Sequence, residues 1–288
     1  MMGSMLVECI PNFSEGRDDA VLLALSAVAG PLLIDRTADT DHNRSVLTLA
    51  GEPEEILETA FRLASVASRL IDLRLHAGVH PRIGALDVLP FVPLEGATMA
   101  GCVDLARRAG ARIWNELGIP VYFYEEAALR SECRNLADVR KLTQPPDLGV
   151  TPHPSAGCMA VGARKILIAY NVNLRSNDIA AARAIANRIR QANGGLPAVK
   201  ALGLSLGSRG LAQVSMNLVD YERTPPHVAF LAIEREARAR GIEIESSELI
   251  GLIPQRALDE AAAAGVDLRW ENYTPDRVLE NRLKGLVH

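Results

Sequence analysis

Aromatic side chains are scarce in this chain, 4% of 288 residues, which argues against a platform of rings for stacked bases. No excess of positive charge makes up for them. The net charge is −4, so the composition indicates no broad basic face for nucleic acid. Anionic small molecules must be met by individual Arg and Lys residues. Long apolar runs are also missing: no uninterrupted stretch of about 18 apolar residues occurs, which removes a membrane span. The start, MMGSMLVECIPNF, has neither the basic nor the long apolar segment of a signal peptide. The four cysteines, Cys9, Cys102, Cys133 and Cys158, form no CxxC pair. Their spacing argues against zinc and against a disulfide framework, and reduced thiols in a cytoplasm are the simplest account. No GxGxxG follows the first strand, and Ser14 and Ser155 lack a GxSxG context, which counts against dinucleotide binding and a serine nucleophile.

What is present is an apolar content of 48% with 23% charged residues, enough for one large or two smaller domains with real cores. Residues Leu6–Asn12, Leu32–Asp35, Arg44–Ala50, Leu86–Val92 and Val121–Tyr124 read as strands. Helices are expected over Arg17–Ala29, Glu54–Leu75 and Gly101–Leu117. In the second of these, Ile56, Leu57, Ala60, Leu63, Ala64, Ala67 and Leu70 share one face. The order β-α-β-β-α-β, with an extra helix and strand, then recurs. Strands at Ile166–Val172, Val199–Leu206, Gln213–Tyr221 and within Glu243–Ile253 alternate with helices at Asp178–Ala192, Pro226–Arg240 and Pro254–Ala264. Two such units in succession are the split βαβ, or ferredoxin-like, signature. The expected class is therefore α+β, divided into residues 1–165 and 166–288; a doubly wound α/β fold is the main alternative. Leu142–Gly162, rich in Pro, Gly, Thr and Ser, reads as a long loop, and Trp270–His288 is helical in pattern.

Three segments carry candidate chemistry. In Leu75–Leu94, His80 precedes Pro81, which pushes it toward extended geometry at the mouth of an apolar strand that holds Asp87. Arg82 lies two residues on, and an imidazole titrating near neutrality suits proton transfer. The competing reading is a surface turn whose histidine caps the preceding helix. His76 and His80 have metal-pair spacing, but Gly78 and Pro81 interrupt a helix there and no third ligand is near, so no metal is expected. In Asp35–Arg44, three carboxylates stand with His42, Asn43 and Arg44 between two strands. They suit an amide- or amidine-bearing substrate, or else a solvated turn. In Asp147–Lys165, glycines and prolines precede Arg164 and Lys165, a cationic pair that could meet a carboxylate. The competing reading there is an interdomain linker.

Several stretches together resemble the formiminotransferase domain family: LVECIPNFSEGR at Leu6–Arg17, the DHNR loop, and ASRLIDLRLHAGVHPRIGALDVLPFVPL at Ala67–Leu94. PVYFYEEAA at Pro120–Ala128, GARKILIAYNVNL at Gly162–Leu174 and LAQVSMNLVDYERTPPH at Leu211–His227 continue the match in the family's order. The resemblance implies two ferredoxin-like subdomains with the active site in a channel between them. It also implies transfer of a formimino group from N-formimino-L-glutamate to tetrahydrofolate, the co-substrate. By position, the family's catalytic histidine falls on His80. Its folate segment falls on Leu148, Gly149, Val150, Thr151, Pro152, His153, Pro154, Ser155, Ala156 and Gly157. His80 would accept the N5 proton of tetrahydrofolate and pass a proton to the departing glutamate nitrogen. Asn43, Arg44, Arg82, Arg164 and Lys165 are candidate substrate contacts. A form without the cyclodeaminase of the animal members is expected, in the cytoplasm, with a homodimer as a candidate assembly. Two alternatives remain beside it: the same scaffold acting on another formyl or formimino donor, and a non-catalytic folate-binding protein.

Overall fold

Pro11 breaks the first strand in two, because proline has no N–H to offer a sheet ladder. The computed structural model describes residues 5–40, 42–77, 81–207 and 209–285. The chain divides into two compact units, Met1–Lys165 and Ile166–His288. The first unit begins with β1 (Val7–Cys9), β2 (Asn12–Phe13), α1 (Asp19–Ala29), β3 (Leu33–Asp39), β4 (Arg44–Gly51), α2 (Pro53–Leu70) and β5 (Leu86–Pro93). It is completed by α3 (Met99–Leu117), β6 (Val121–Glu125), the short helix α4 (Leu136–Val139) and β7 (Met159–Ala163).

The helix starts are written locally. Asp18 caps α1 by accepting from the Ala20 and Val21 N–H groups, and Thr98 caps α3 through the Gly101 N–H. Pro53 opens α2 with Glu54 and Glu55 in its first turn and Arg69 in its last, the charge order a helix dipole favours.

Among the described residues the strands of this unit form one mixed sheet of seven. β4 and β5 flank the β1–β2 line, β3 lies outside β4, and β7 then β6 continue beyond β5. β7 runs parallel to both β5 and β6; the other pairings are antiparallel. If β1 and β2 are taken as one strand, the first β-α-β-β-α-β unit has the spatial order fourth, first, third, second. Strand residues alternate between faces. Val7, Cys9, Phe13, Leu47, Leu49, Leu89 and Phe91 bury themselves under α1, α2 and α3. On the reverse face Val88, Tyr122, Tyr124 and Ala160 pack with Leu136 and Val139 of α4.

The second unit runs β8 (Ile168–Leu174), α5 (Ile179–Ile189), β9 (Val199–Leu206), β10 (Leu211–Leu218), α6 (Pro226–Arg238), β11 (Ile244–Ile250), α7 (Gln255–Ala263) and α8 (Leu279–Leu283). Its four strands are antiparallel in the order β11-β8-β10-β9, again fourth, first, third, second. Ile168, Tyr170, Val172, Val214 and Met216 form a separate core with Ile185, Phe230 and Ile233.

The molecule is thus α+β with two sheets, and four stretches depart most from expectation. Leu142–Gly162 is not a loop throughout: β7 begins at Met159, and every one of its residues is buried. A short parallel strand of Ala, Val and Gly carries no alternating pattern for a sequence reading to catch. The loop expected to begin at Arg36 begins later, because β3 continues to Asp39 as a polar edge strand. α2 stops at Leu70 rather than Leu75, and the Leu73 N–H bonds the Ser155 carbonyl at 2.9 Å instead of continuing the helix. The tail is mostly not helical: Trp270 bridges to Ser247, and Asn272 bonds both backbone groups of Leu249 before α8.

Candidate active site

The register of β2 on β5 passes from Asn12 opposite Val88 to Phe13 opposite Leu86. Asp87 is the extra residue of that bulge, a device that re-aims a side chain. Its carboxylate is fully buried. One oxygen accepts the Ile83 N–H at 2.7 Å, while the other accepts Arg44 at 3.1 Å and Arg140 at 2.6 Å. Burial alone would raise its pKa, yet Arg140, Arg44 and the Ile83 N–H together hold it below the usual carboxylate range. Arg44 also donates to the Asn12 side-chain oxygen at 2.7 Å, and burial lowers its guanidinium pKa against the pull of Asp87. One carboxylate between two guanidiniums leaves a local surplus of positive charge.

Asp87 also fixes the turn that leads into β5. The Ser14 hydroxyl donates to the Gly84 carbonyl at 2.7 Å, and Gly84 lies so close to the Cys158 carbonyl that an added Cβ would stand 1.9 Å from it. Only glycine permits that approach. On the other side, the Ala85 N–H bonds the Ala156 carbonyl at 2.9 Å and the Cys158 N–H bonds the Ile83 carbonyl at 2.7 Å. The expected folate segment is therefore pinned against residues 83–85, directly after Pro81 and Arg82.

That segment divides into two parts. Leu148 exchanges backbone bonds with Val121 at the start of β6, and Gly149 sits over the Trp114 ring. Val150, Thr151, Pro152 and Pro154 are exposed. From His153 the chain turns back: the His153 and Gly157 backbones bond each other at 2.9 and 3.0 Å, and the Ala156 N–H donates to His153 Nδ1 at 3.1 Å. Ala156 belongs to the core rather than to a surface wall.

Asn43, Arg44 and Arg82 are brought together. Asn43 is buried with φ of 48°, which asparagine tolerates. Its side-chain oxygen accepts the Gly16 N–H at 2.9 Å and its amide donates to the Ala77 carbonyl at 3.1 Å. Arg82 donates to the His42 and Asn43 carbonyls at 3.0 and 3.3 Å and to the His76 ring. Burial first, and Arg82 second, lower the pKa of His76, so it accepts this bond as a neutral ring. Arg164 and Lys165 stand elsewhere. Arg164 follows β7, bonds the Phe91 carbonyl through its N–H and the Lys165 carbonyl through its side chain. Phe91 is four residues along β5 from Asp87, about 13 Å at the usual strand rise. His80, like Gly78 and Asp41, lies outside the described residues. Among the described residues no group of three His, Cys, Asp or Glu could hold a metal ion.

The sequence reading missed Arg140, whose partner is 53 positions away, and Glu8. Arg140 leaves no local mark. Glu8 does, as a lone acid within the apolar strand LVECI.

The formiminotransferase domain, N-terminal subdomain, matches residues 6–164, and the formiminotransferase domain matches residues 169–268. The chain is 44% identical to the glutamate formimidoyltransferase of Streptococcus pyogenes, over 97% of this chain and 99% of that one. It is 38% identical to the enzyme of the same name from Thermoplasma acidophilum, over 97% of each. It is 42% identical to the formimidoyltransferase-cyclodeaminase of Rattus norvegicus, over 90% of this chain and 52% of the rat protein.

Proposed function

The chain belongs to the formiminotransferase domain family, and on that footing we infer that it is an enzyme, a glutamate formimidoyltransferase of histidine degradation and one-carbon metabolism. It moves the formimino group of N-formimino-L-glutamate to N5 of tetrahydrofolate and leaves L-glutamate. What carries this reading is that the likeness runs end to end rather than through a single motif.

Each candidate residue then has a distinct task. His80 takes the proton from the attacking nitrogen and returns one to the departing glutamate nitrogen, a transfer worth roughly 10²–10⁴ in rate. Residues 83–85, which follow Pro81 and Arg82, are held by Asp87 and by residues 156–158. Residues Leu148–Gly157 take the folate. Arg44, Arg82, Arg164 and Lys165 supply positive charge for the carboxylates that both substrates carry, and Asn43 shapes the loop that presents Arg44. Each unit is read as ferredoxin-like, which its fourth-first-third-second strand order supports.

No helix among the described residues is long and apolar enough to cross a membrane. The four cysteines are buried and unpaired, which supports a cytoplasmic location. The homodimer reading draws on the edge strand β9, where Leu202 and Leu204 are exposed; sedimentation as a monomer at assay concentration removes it. The reaction itself is tested by incubating the protein with N-formimino-L-glutamate and tetrahydrofolate. Formation of 5-formiminotetrahydrofolate by mass spectrometry supports the reading, and binding of folate without product overturns it.

A further inference from the structure

Glu8 has no part in the transfer chemistry, and its position is unusual. Its neighbours Val7 and Cys9 point into the core beneath the helices, so Glu8 points to the reverse face of the sheet. There it sits between Ala50 of β4 and Val92 of β5 and is only 6% exposed. Among the described residues no hydrogen bond or ion pair reaches its carboxyl; Arg164 acts on it at charge range only. Arg164 stands just past Ala163, the β7 partner of Phe91, and so at the level of Val92 beside Glu8. Tyr124, on the same face, also feels the Arg164 charge.

A buried carboxyl without a partner is costly, and burial raises the Glu8 pKa to about 7. A cationic partner from outside the chain would relieve that cost. The donor substrate offers one. A formimino group on nitrogen is an amidine, protonated at neutral pH and able to give two parallel N–H bonds to a carboxylate, in the way a guanidinium does. In N-formimino-L-glutamate the amidinium and the α-carboxylate are substituents of one carbon, so they call for an acid and a base side by side.

Building on the glutamate formimidoyltransferase reading, we propose that Glu8 is the specificity residue that pairs with the amidinium of the donor, while Arg164 beside it takes the donor's α-carboxylate. A neutral N-formyl analogue keeps the carboxylates but lacks the charge that Glu8 selects. No part of this requires Glu8 to move a proton in the transfer step.

The test compares the full-length wild type with Glu8→Gln and Arg164→Gln by titration calorimetry, using N-formimino-L-glutamate, N-formyl-L-glutamate and tetrahydrofolate as ligands. Losing one charge-assisted pair should weaken formiminoglutamate binding to Glu8→Gln by about 10- to 100-fold. N-formylglutamate and tetrahydrofolate should bind within a factor of about two of wild type. Arg164→Gln should instead weaken both glutamate derivatives alike, because both carry the α-carboxylate. Retained preference for the amidinium in Glu8→Gln overturns the proposal, and so does equal weakening of both derivatives. Should Glu8→Gln fail to fold, an effect of Arg164→Gln on the formimino compound alone overturns it independently. Wild-type protein that binds N-formimino-L-glutamate but transfers nothing sinks the enzyme reading and leaves this pairing standing; wild-type protein that does not bind it sinks both.

Discussion

Replacing Glu8 by glutamine is expected to stabilise the unliganded protein at pH 8 and to change it by less than about 1 kcal/mol at pH 5. The carboxyl is buried, and its pKa rises from 4.5 to about 7 because burial outweighs the attraction of Arg164. A tenfold change in proton affinity is worth about 1.4 kcal/mol, so the span amounts to roughly 3 kcal/mol. Between those two values the folded chain holds a proton that the unfolded chain has released, so wild-type stability falls as pH rises. The stabilising contribution is whole below 4.5 and gone once pH passes about 7. Glutamine has the same shape, carries no charge and does not titrate. All other ionisable groups are shared, so they cancel in the difference between the two proteins. Urea unfolding of both at pH 5, 6, 7 and 8 should therefore give a stability gap that opens from under about 1 kcal/mol to about 3 kcal/mol. Hydrogen exchange at the β1 amides would locate the effect. A gap that stays flat over this range means that the Glu8 carboxyl is solvated or paired, and the reasoning from its burial fails.

Asp87→Asn leaves Arg44 and Arg140 without their shared carboxylate and should destabilise the protein by about 3–5 kcal/mol in urea; a loss under about 1 kcal/mol would mean that the cluster is well hydrated. Gly84→Ala forces a methyl group against the Cys158 carbonyl, which separates residues 83–85 from 156–158. Weaker tetrahydrofolate binding and a lower melting temperature are expected, and an unchanged dissociation constant would detach this turn from the folate site. Arg82→Met removes the second cause of the lowered His76 pKa, so proton NMR should show His76 titrating higher than in wild type but still below an exposed histidine, since burial is the larger cause. His80→Asn should keep the circular dichroism spectrum and lose roughly 10²–10⁴ in turnover; full activity would assign the proton transfer elsewhere.

Much of the fold was legible because its signals are local or periodic. The α2 face from Ile56 to Ala67 is buried as the spacing requires, and β9 occupies the stretch its apolar pattern marks. β7 was not legible. Met159–Ala163 is buried on both sides by parallel neighbours, so its residues are merely small, with glycine and proline just ahead of them. The end of α2 was missed for a related reason: Leu75 continues the apolar rhythm but is 87% exposed, because Leu73 is claimed by Ser155, some eighty positions away. For the site, the DHNR loop and the turn after His80 could be picked out from residue types alone. That Arg44 belongs with Asp87 and Arg140 could not.

Taken by itself, the sequence determined where the apolar faces lie, that one β-α-β-β-α-β plan occurs twice, and which family the chain resembles. These follow from side-chain periods, capping residues and motif order, all of which are written within short stretches of chain. Tertiary structure alone decided which polar groups meet. Asp87 finds Arg44 at a separation of 43 residues and Arg140 at 53, because a bulge turns its side chain and strand pairing brings the others to it. Burial then sets their charges, and the solvent exposure of a single carboxyl such as Glu8 is fixed only when the strands on both sides are in place.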